Sequence, residues 1–289
     1  MAPNHSSEAA EQKQFFAGLF DRASSTYDHV GPNFFSHFGR RLVEHAALPT
    51  MSRVLDVACG RGAVLFPAAE AVGHRGSVIG IDFAEGMVKE TSREISHQKL
   101  TNVEIHQMDA EHLDFPNSSF DAILCGFALF FFPQLERAMA EFRRTLRPGG
   151  HIAVSTWGEQ FDKDWEWFYK AGEKYLPPKP VEQTTPDQPD DPNFATSAGM
   201  ENIMRAAGFA DVQIINETTS FHYSTKDEWW ETVWSHGARA LPERIERTGG
   251  TDALAQFKRD CFVEIEAKKS AAGYRQVFQV LYSLGIKTR

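Results

Sequence analysis

Gly60, Gly62, Asp56 and Asp82 are spaced as a small-ligand site would space them. Glycines at 60 and 62 let backbone approach a ligand closely, and the helix that follows offers free N–H groups at its N-terminus. Asp56 lies inside the apolar run Val54-Leu55-Asp56-Val57, where a carboxylate is costly unless something pairs with it. Asp82 closes a second apolar run, 20 residues beyond Gly62. From that position a carboxylate accepts hydrogen bonds from both hydroxyls of a ribose. A Gly-x-Gly pair alone also marks a simple tight turn; the two acids turn it into an adenosine site.

Two cofactor chemistries compete for such a site. A dinucleotide needs Gly-x-Gly-x-x-Gly/Ala, and the available registers put Ala58 at the first glycine or Leu65 at the third. A phosphate-binding Gly-x-x-x-x-Gly-Lys-Ser/Thr loop is absent from the sequence. A cofactor without phosphates, carrying an amino-acid tail with an ammonium group, uses an acid such as Asp56. S-adenosylmethionine is such a molecule. A nucleotide-cofactor oxidoreductase stays as an alternative.

The elements that must hold these residues follow from the hydrophobic rhythm. Apolar runs at 54–57, 78–81, 103–107, 120–125 and 151–156 alternate with helix-like segments at 63–71, 85–97 and 134–146. That alternation predicts βαβ units, a parallel sheet covered on both faces, and a ligand at the carboxyl ends of the strands. The expected fold class is α/β, a doubly wound Rossmann-like sheet whose last strand is antiparallel. Residues 1–14 read as a frayed polar tail, and 15–45 as two or more short helices broken at Gly31-Pro32. The turn Arg147-Pro148-Gly149-Gly150 is expected to open the strand at 151. After Trp157 come an aromatic helix (161–175), a six-proline loop or lid (177–192), a helix (197–207), a strand (212–223), helices broken before Pro242 and a closing strand (276–284). The expected organisation is therefore a helical cap (1–50), a cofactor-binding core (51–157), and lid helices with strands that complete the sheet (158–289).

Val54 to Gly62 resembles motif I of the class I S-adenosylmethionine-dependent methyltransferases, and Ile79-Gly80-Ile81-Asp82 resembles their motif II. Met108 to Glu111, Phe120 to Ile123 and Leu146 to Gly150 resemble, in order, the remaining signatures of the subgroup typified by ubiquinone/menaquinone-biosynthesis C-methyltransferases. The resemblance implies that the Ala58 to Gly62 backbone passes beside the methionine, with Asp56 near its ammonium and Asp82 on the ribose. It also implies Phe83 and Met87 flanking the adenine, Asp109 at its exocyclic amine, and the Ala110 N–H at a ring nitrogen. Cys125 and Phe127 would face the methionine, and Tyr27 would close over the cofactor. Ala58 departs from a position where glycine is common. Simpler roles compete: Phe83 and Met87 as core, Asp109 as a helix N-cap, Cys125 as a small buried hydrophobe.

Methyl transfer is an in-line displacement that positioning can largely catalyse, with a base needed only if the nucleophile must lose a proton. The segment after the fourth strand, Cys125 to Pro133, carries no amide or acid of the kind found in base and glutamine N-methyltransferases. Aromatic residues crowd the segments expected to roof the site. Phe130, Trp157, Trp167, Trp230 and Trp234 are the candidate walls of an apolar substrate chamber, and His236 is the candidate base. The 23 Phe and 6 Trp fit either such a chamber or a phenylalanine-rich core. The expected reaction is methyl transfer to carbon or oxygen of a small apolar or aromatic metabolite. The alternative use of the same fold is a non-methylating reaction such as a cyclisation.

Composition narrows the partners. A net charge of −9 argues against a nucleic-acid binder, which needs a basic face. Cys59, Cys125 and Cys261 match neither a disulfide framework nor a zinc spacing, so no metal and a cytoplasmic setting are expected. No stretch reaches the ~18 apolar residues of a membrane helix, so no membrane insertion is expected, and the chain is read as a monomer or homodimer.

Overall fold

The computed structural model describes residues 5–177 and 193–288, so the proline-rich lid expected over 177–192 lies almost wholly outside the described residues. In chain order the elements are α1 (His5–Ala23), α2 (Phe34–Ala46), β1 (Arg53–Val57), α3 (Leu65–Val72), β2 (Ser77–Asp82), α4 (Glu85–Gln98), β3 (Val103–Gln107) and β4 (Phe120–Gly126). There follow α5 (Leu135–Thr145), β5 (Leu146–Trp157), α6 (Glu159–Glu173), α7 (Ser197–Ala206), β6 (Phe209–Tyr223), α8 (Lys226–Ser235), α9 (Ala240–Glu266), β7 (Lys269–Ser270) and β8 (Gly273–Lys287).

The strands form one mixed sheet in the order β3-β2-β1-β4-β5-β8-β6, with the short β7 paired to β8. β1 to β5 run parallel; β8 lies antiparallel between β5 and β6. The strand order reverses at β1 and β4, so their carboxyl ends open the crevice in which doubly wound sheets bind ligands. β1 and β4 are apolar on both sides because helices cover both faces. Phe38, Leu42, Leu65 and Ala68 of α2 and α3 pack one face, while Ala138, Phe142, Met200 and Met204 of α5 and α7 pack the other. A third cluster, with Phe168, Trp229, Val233 and Phe257 at its centre, joins α6, α8 and α9 beside the sheet.

Three local expectations change. Residues 5–14 belong to α1 rather than to a frayed tail. Their helix is held from the far side of the site, where the Lys13 ammonium meets Asp109 and Glu111. The turn at 147–150 is absorbed into β5 as a bulge: Phe120 pairs with Leu146 and Ala122 with His151, and Gly149 adopts φ 77°. The break expected before Pro242 falls at 236–239, leaving Pro242 in the first turn of α9, where a missing N–H costs little.

Candidate functional site

Three spaces meet at the carboxyl ends of β1, β2 and β4. The first, a cleft of about 790 Å³, is lined by Ala58, Gly60, Asp82, Phe83, Met87, Asp109 and Ala110, with Lys13, Phe16 and Phe20 of α1 as its roof. The second is a smaller hollow around Asp56, Ala58, Gly60 and Asp28. The third, about 1580 Å³, is a chamber walled by Phe34, Phe35, Phe130, Trp157, Phe161, Trp165 and His236. Tyr27 and Phe127 border all three.

The loop after β1 is built by backbone that only small or strained residues allow. Gly60 has φ 51°, and a Cβ there would meet nothing within 4 Å, which leaves room for a ligand against the main chain. Its N–H donates to Asp82 Oδ2 at 2.8 Å, while Asp82 Oδ1 accepts from the Ala84 N–H at 2.9 Å. Each carboxylate oxygen keeps a lone pair for a further donor. Burial pushes the Asp82 carboxyl up to about 6, against the pull of these backbone donors. Ala58 and Phe127 both adopt φ 54°, a left-handed conformation that costs a residue with a Cβ roughly 1–2 kcal/mol. That is the cost of alanine at 58.

Asp56 is fully buried, and neither of its oxygens has a hydrogen-bond partner among the described residues. Desolvation, then the charge of Asp82, push its carboxyl well above the ordinary range. An unsatisfied buried acid beside an open hollow fits a cationic ligand group. The residues therefore fit S-adenosylmethionine. Asp56 would hold the ammonium, the Ala58–Gly60 backbone the methionine, Asp82 the ribose, and Phe83, Met87 and Ala110 the adenine.

Some expected site residues stand elsewhere. Cys125 is fully buried between the sheet and its covering helices and lines none of these spaces. Gly62 also faces away: the Phe66 ring occupies the place of its Cβ, at 2.4 Å, so this glycine makes a turn and a close packing contact. Trp167, Trp230 and Trp234 belong to the α6–α8–α9 cluster rather than to the chamber. Helix phase decides this. Phe161, Trp165 and Tyr169 recur every fourth residue on the chamber side of α6, and Trp167 lies between those rows, against Trp229. Trp230 packs on Phe257, and Trp234 lies under the Arg239 guanidinium.

Asp109 lines the cleft, but its carboxylate is already engaged. Oδ1 accepts the Glu111 N–H at 2.9 Å, and Oδ2 meets Lys13 Nζ at 2.7 Å and His112 Nδ1 at 3.2 Å. Although burial opposes it, Lys13 and the other donors hold this carboxyl below its usual range. Lys13 is a site residue that sequence reasoning missed, since its partner is 96 positions away. α1 is also tethered by Arg22 to Glu243 at 2.7 Å and by the Asp21 carboxylate to the Gly86 N–H at 2.7 Å.

His236 closes the chamber end of α8, whose start is capped by the Thr225 hydroxyl accepting the Glu228 N–H at 3.0 Å. Its Nδ1 accepts the Ala238 N–H at 3.2 Å. Desolvation pushes the imidazole down to about 4, so the ring is neutral near pH 7 and carries its proton on Nε2. It is therefore placed as a donor rather than as the expected base.

The phenylalanines serve both purposes weighed in the sequence. Phe38, Phe120 and Phe142 are fully buried core, while Phe16, Phe20, Phe35 and Phe161 line the open spaces. Phe127 stacks on Trp157 at 4.0 Å, and Trp157 on Phe161 at 4.2 Å, forming one continuous aromatic wall. Among the described residues no group of three or more His, Cys, Asp or Glu could hold a metal ion, and no helix is long and apolar enough to cross a membrane.

Comparison with known proteins agrees with this geometry. Residues 54–150 match the family described as Methyltransferase domain. The chain is 46% identical over 137 residues to the aklanonic acid methyltransferase of Streptomyces sp. strain C5, a match covering 47% of this chain and 62% of that protein. It is 33% identical over 254 residues to the nocamycin O-methyltransferase of Saccharothrix syringae, covering 84% of this chain and 89% of that protein. Among solved structures, the YcgJ protein of Bacillus subtilis shares the fold, with a TM-score of 0.57 and 23% identity over 88% of this chain and 99% of that one. With an orphaned acid and a ribose-ready acid at its centre, the chain belongs to the class I S-adenosylmethionine-dependent methyltransferases, and S-adenosylmethionine is its cofactor.

Proposed function

We propose that the acceptor is a small, planar, largely apolar metabolite and that the methyl group goes to an acidic oxygen on it. The observation that carries this reading is the chamber: its described lining holds no charged side chain and is dominated by aromatic rings. Bound in the cleft, S-adenosylmethionine supplies an electrophilic methyl group on a sulfonium. The chain's own work is positional. Asp56 fixes the cofactor's ammonium and Asp82 its ribose, while Tyr27 and Phe127 close the junction between cofactor and acceptor and keep water out.

Among the described residues, those bordering that junction offer no strong base. His236 presents an N–H, and burial holds the Tyr27 hydroxyl well above its usual range, so it stays protonated. An acceptor that ionises by itself, such as a carboxylic acid or an acidic phenol or enol, needs none. Relatives named for an acid and for O-methylation support the same choice.

The test is a screen of polycyclic aromatic acids and phenols with methyl-labelled S-adenosylmethionine. Label should enter an ester or ether, with one S-adenosylhomocysteine formed per product. Product without S-adenosylhomocysteine would point instead to a cyclisation, and label confined to carbon would overturn the oxygen assignment. With the acceptor found, Trp157→Leu is expected to raise its KM about tenfold by removing ring contact worth ~1 kcal/mol or more. S-adenosylhomocysteine affinity by calorimetry should stay within about twofold, since Trp157 borders the chamber alone.

A further inference from the structure

The sheet has two edges, and they are built differently. β3 is five residues long and carries the acidic Glu104, a short edge that invites no partner. β6 is fifteen residues long and pairs with β8 along one side; among the described residues no strand pairs with its other side. Helices cover its faces. Val212 and Ile214 pack toward Met200 and Met204 of α7, while Ile215 and Phe221 pack toward the cluster that holds Phe38 of α2. No residue from Ala210 to His222 is fully buried.

A bulge between Ala210 and Gln213, with Asp211 at φ 50°, bounds the regular part of the strand. From Gln213 to Tyr223 the register with β8 is unbroken. This stretch holds neither the proline nor the lysine with which sheets blunt an exposed edge. Its one acid, Glu217, is paired within the chain with Arg41 and with His45 Nε2 at 2.8 Å. A free ladder of this length readily bonds another strand.

We propose that this edge is the interface of a homodimer, with β6 of two copies pairing antiparallel about a two-fold axis at Thr218. Thr218 is the midpoint of 213–223, so a register centred there uses the whole regular stretch. Ile215 of one copy then faces Phe221 of the other, an aliphatic–aromatic pair that carries the apolar layer under α2 across the axis. Glu217 faces Thr219, so the single acid never meets its own copy; an axis at Glu217 would set two carboxylates against each other. The strand is complementary to itself in charge and in apolar pattern, as an isologous interface requires. None of residues 213–223 lines the cleft, the hollow or the chamber, so pairing leaves both copies' sites open.

Sedimentation equilibrium across the micromolar range should show the wild-type protein in monomer–dimer exchange. Thr218 is exposed and meets itself on the axis, so Thr218→Lys and Thr218→Glu each set two like charges face to face. Each should raise the dimer dissociation constant on the order of tenfold. An equimolar mixture of the two variants should return it to the wild-type value or below, because opposite charges then meet on the axis. Unchanged S-adenosylhomocysteine affinity shows that each variant is folded. A wild-type protein that stays monomeric overturns the proposal, whether or not the edge takes some other partner. So does a dimer that neither substitution weakens, or a mixture that associates no more tightly than either variant alone.

Discussion

Asp82→Ala is expected to weaken S-adenosylmethionine binding by about 3–5 kcal/mol, the worth of two hydrogen bonds from ribose hydroxyls to a carboxylate. Calorimetry would read this as a loss of at least a hundredfold, and undiminished affinity would remove the basis for the ribose assignment. The substitution also frees the Gly60 and Ala84 N–H groups that Asp82 accepts, so Asp82→Asn is the milder companion. It keeps one acceptor oxygen and loses the charge. The same residue sets a pH dependence. Its carboxyl titrates at about 6, and only the ionised form accepts from both hydroxyls. Affinity should therefore be flat above pH 7 and fall as pH drops below about 6.

The second large effect is a trade at Asp56. Its folded-state pKa lies above the unfolded value of about 3.9. Burial of the neutral acid thus contributes fully below that value, and the contribution is lost as pH rises through the folded pKa. Near neutral pH and above, the cofactor-free protein carries an acid it can neither pair nor solvate. Asp56→Asn removes that ionisation and should stabilise the cofactor-free protein by on the order of 1–3 kcal/mol at pH 8, with little gain at pH 4. The same change should weaken S-adenosylmethionine binding about a hundredfold by removing the counter-charge for its ammonium. Thermal melts across pH, with and without cofactor, check both halves. A variant that gains no stability at pH 8 and keeps its cofactor would show that Asp56 is satisfied in some other way.

Much of the core could be read from the chain because parallel strands covered on both faces must be apolar. β1, β2 and β4 announced themselves, and the acids at 56 and 82 stood out against them. β3, at the sheet edge and half exposed, was found through its place in the alternation. Sorting the tryptophans failed for a physical reason. The helical repeat fixes which residues share a face, but which face meets the chamber depends on how α6 docks against α8 and α9. Trp165, absent from the candidate walls read in the sequence, borders the chamber. Only the first half of α1, up to residue 14, reads as a tail in the sequence, because that polar half finds its partners only in three dimensions, as Lys13 does with Glu111.

The polar tethers of α1 described above all involve a charged side chain, while its Phe16 and Phe20 border both the cofactor cleft and the chamber. Ionic strength therefore acts on both binding events through one helix. Screening reaches about 10 Å at 0.1 M salt and weakens exposed pairs before buried ones. Arg22, 51% exposed, should slacken first, and Lys13, 15% exposed, should hold longest. Salt would then release the roof from its Arg22 end, and cofactor and acceptor would loosen together.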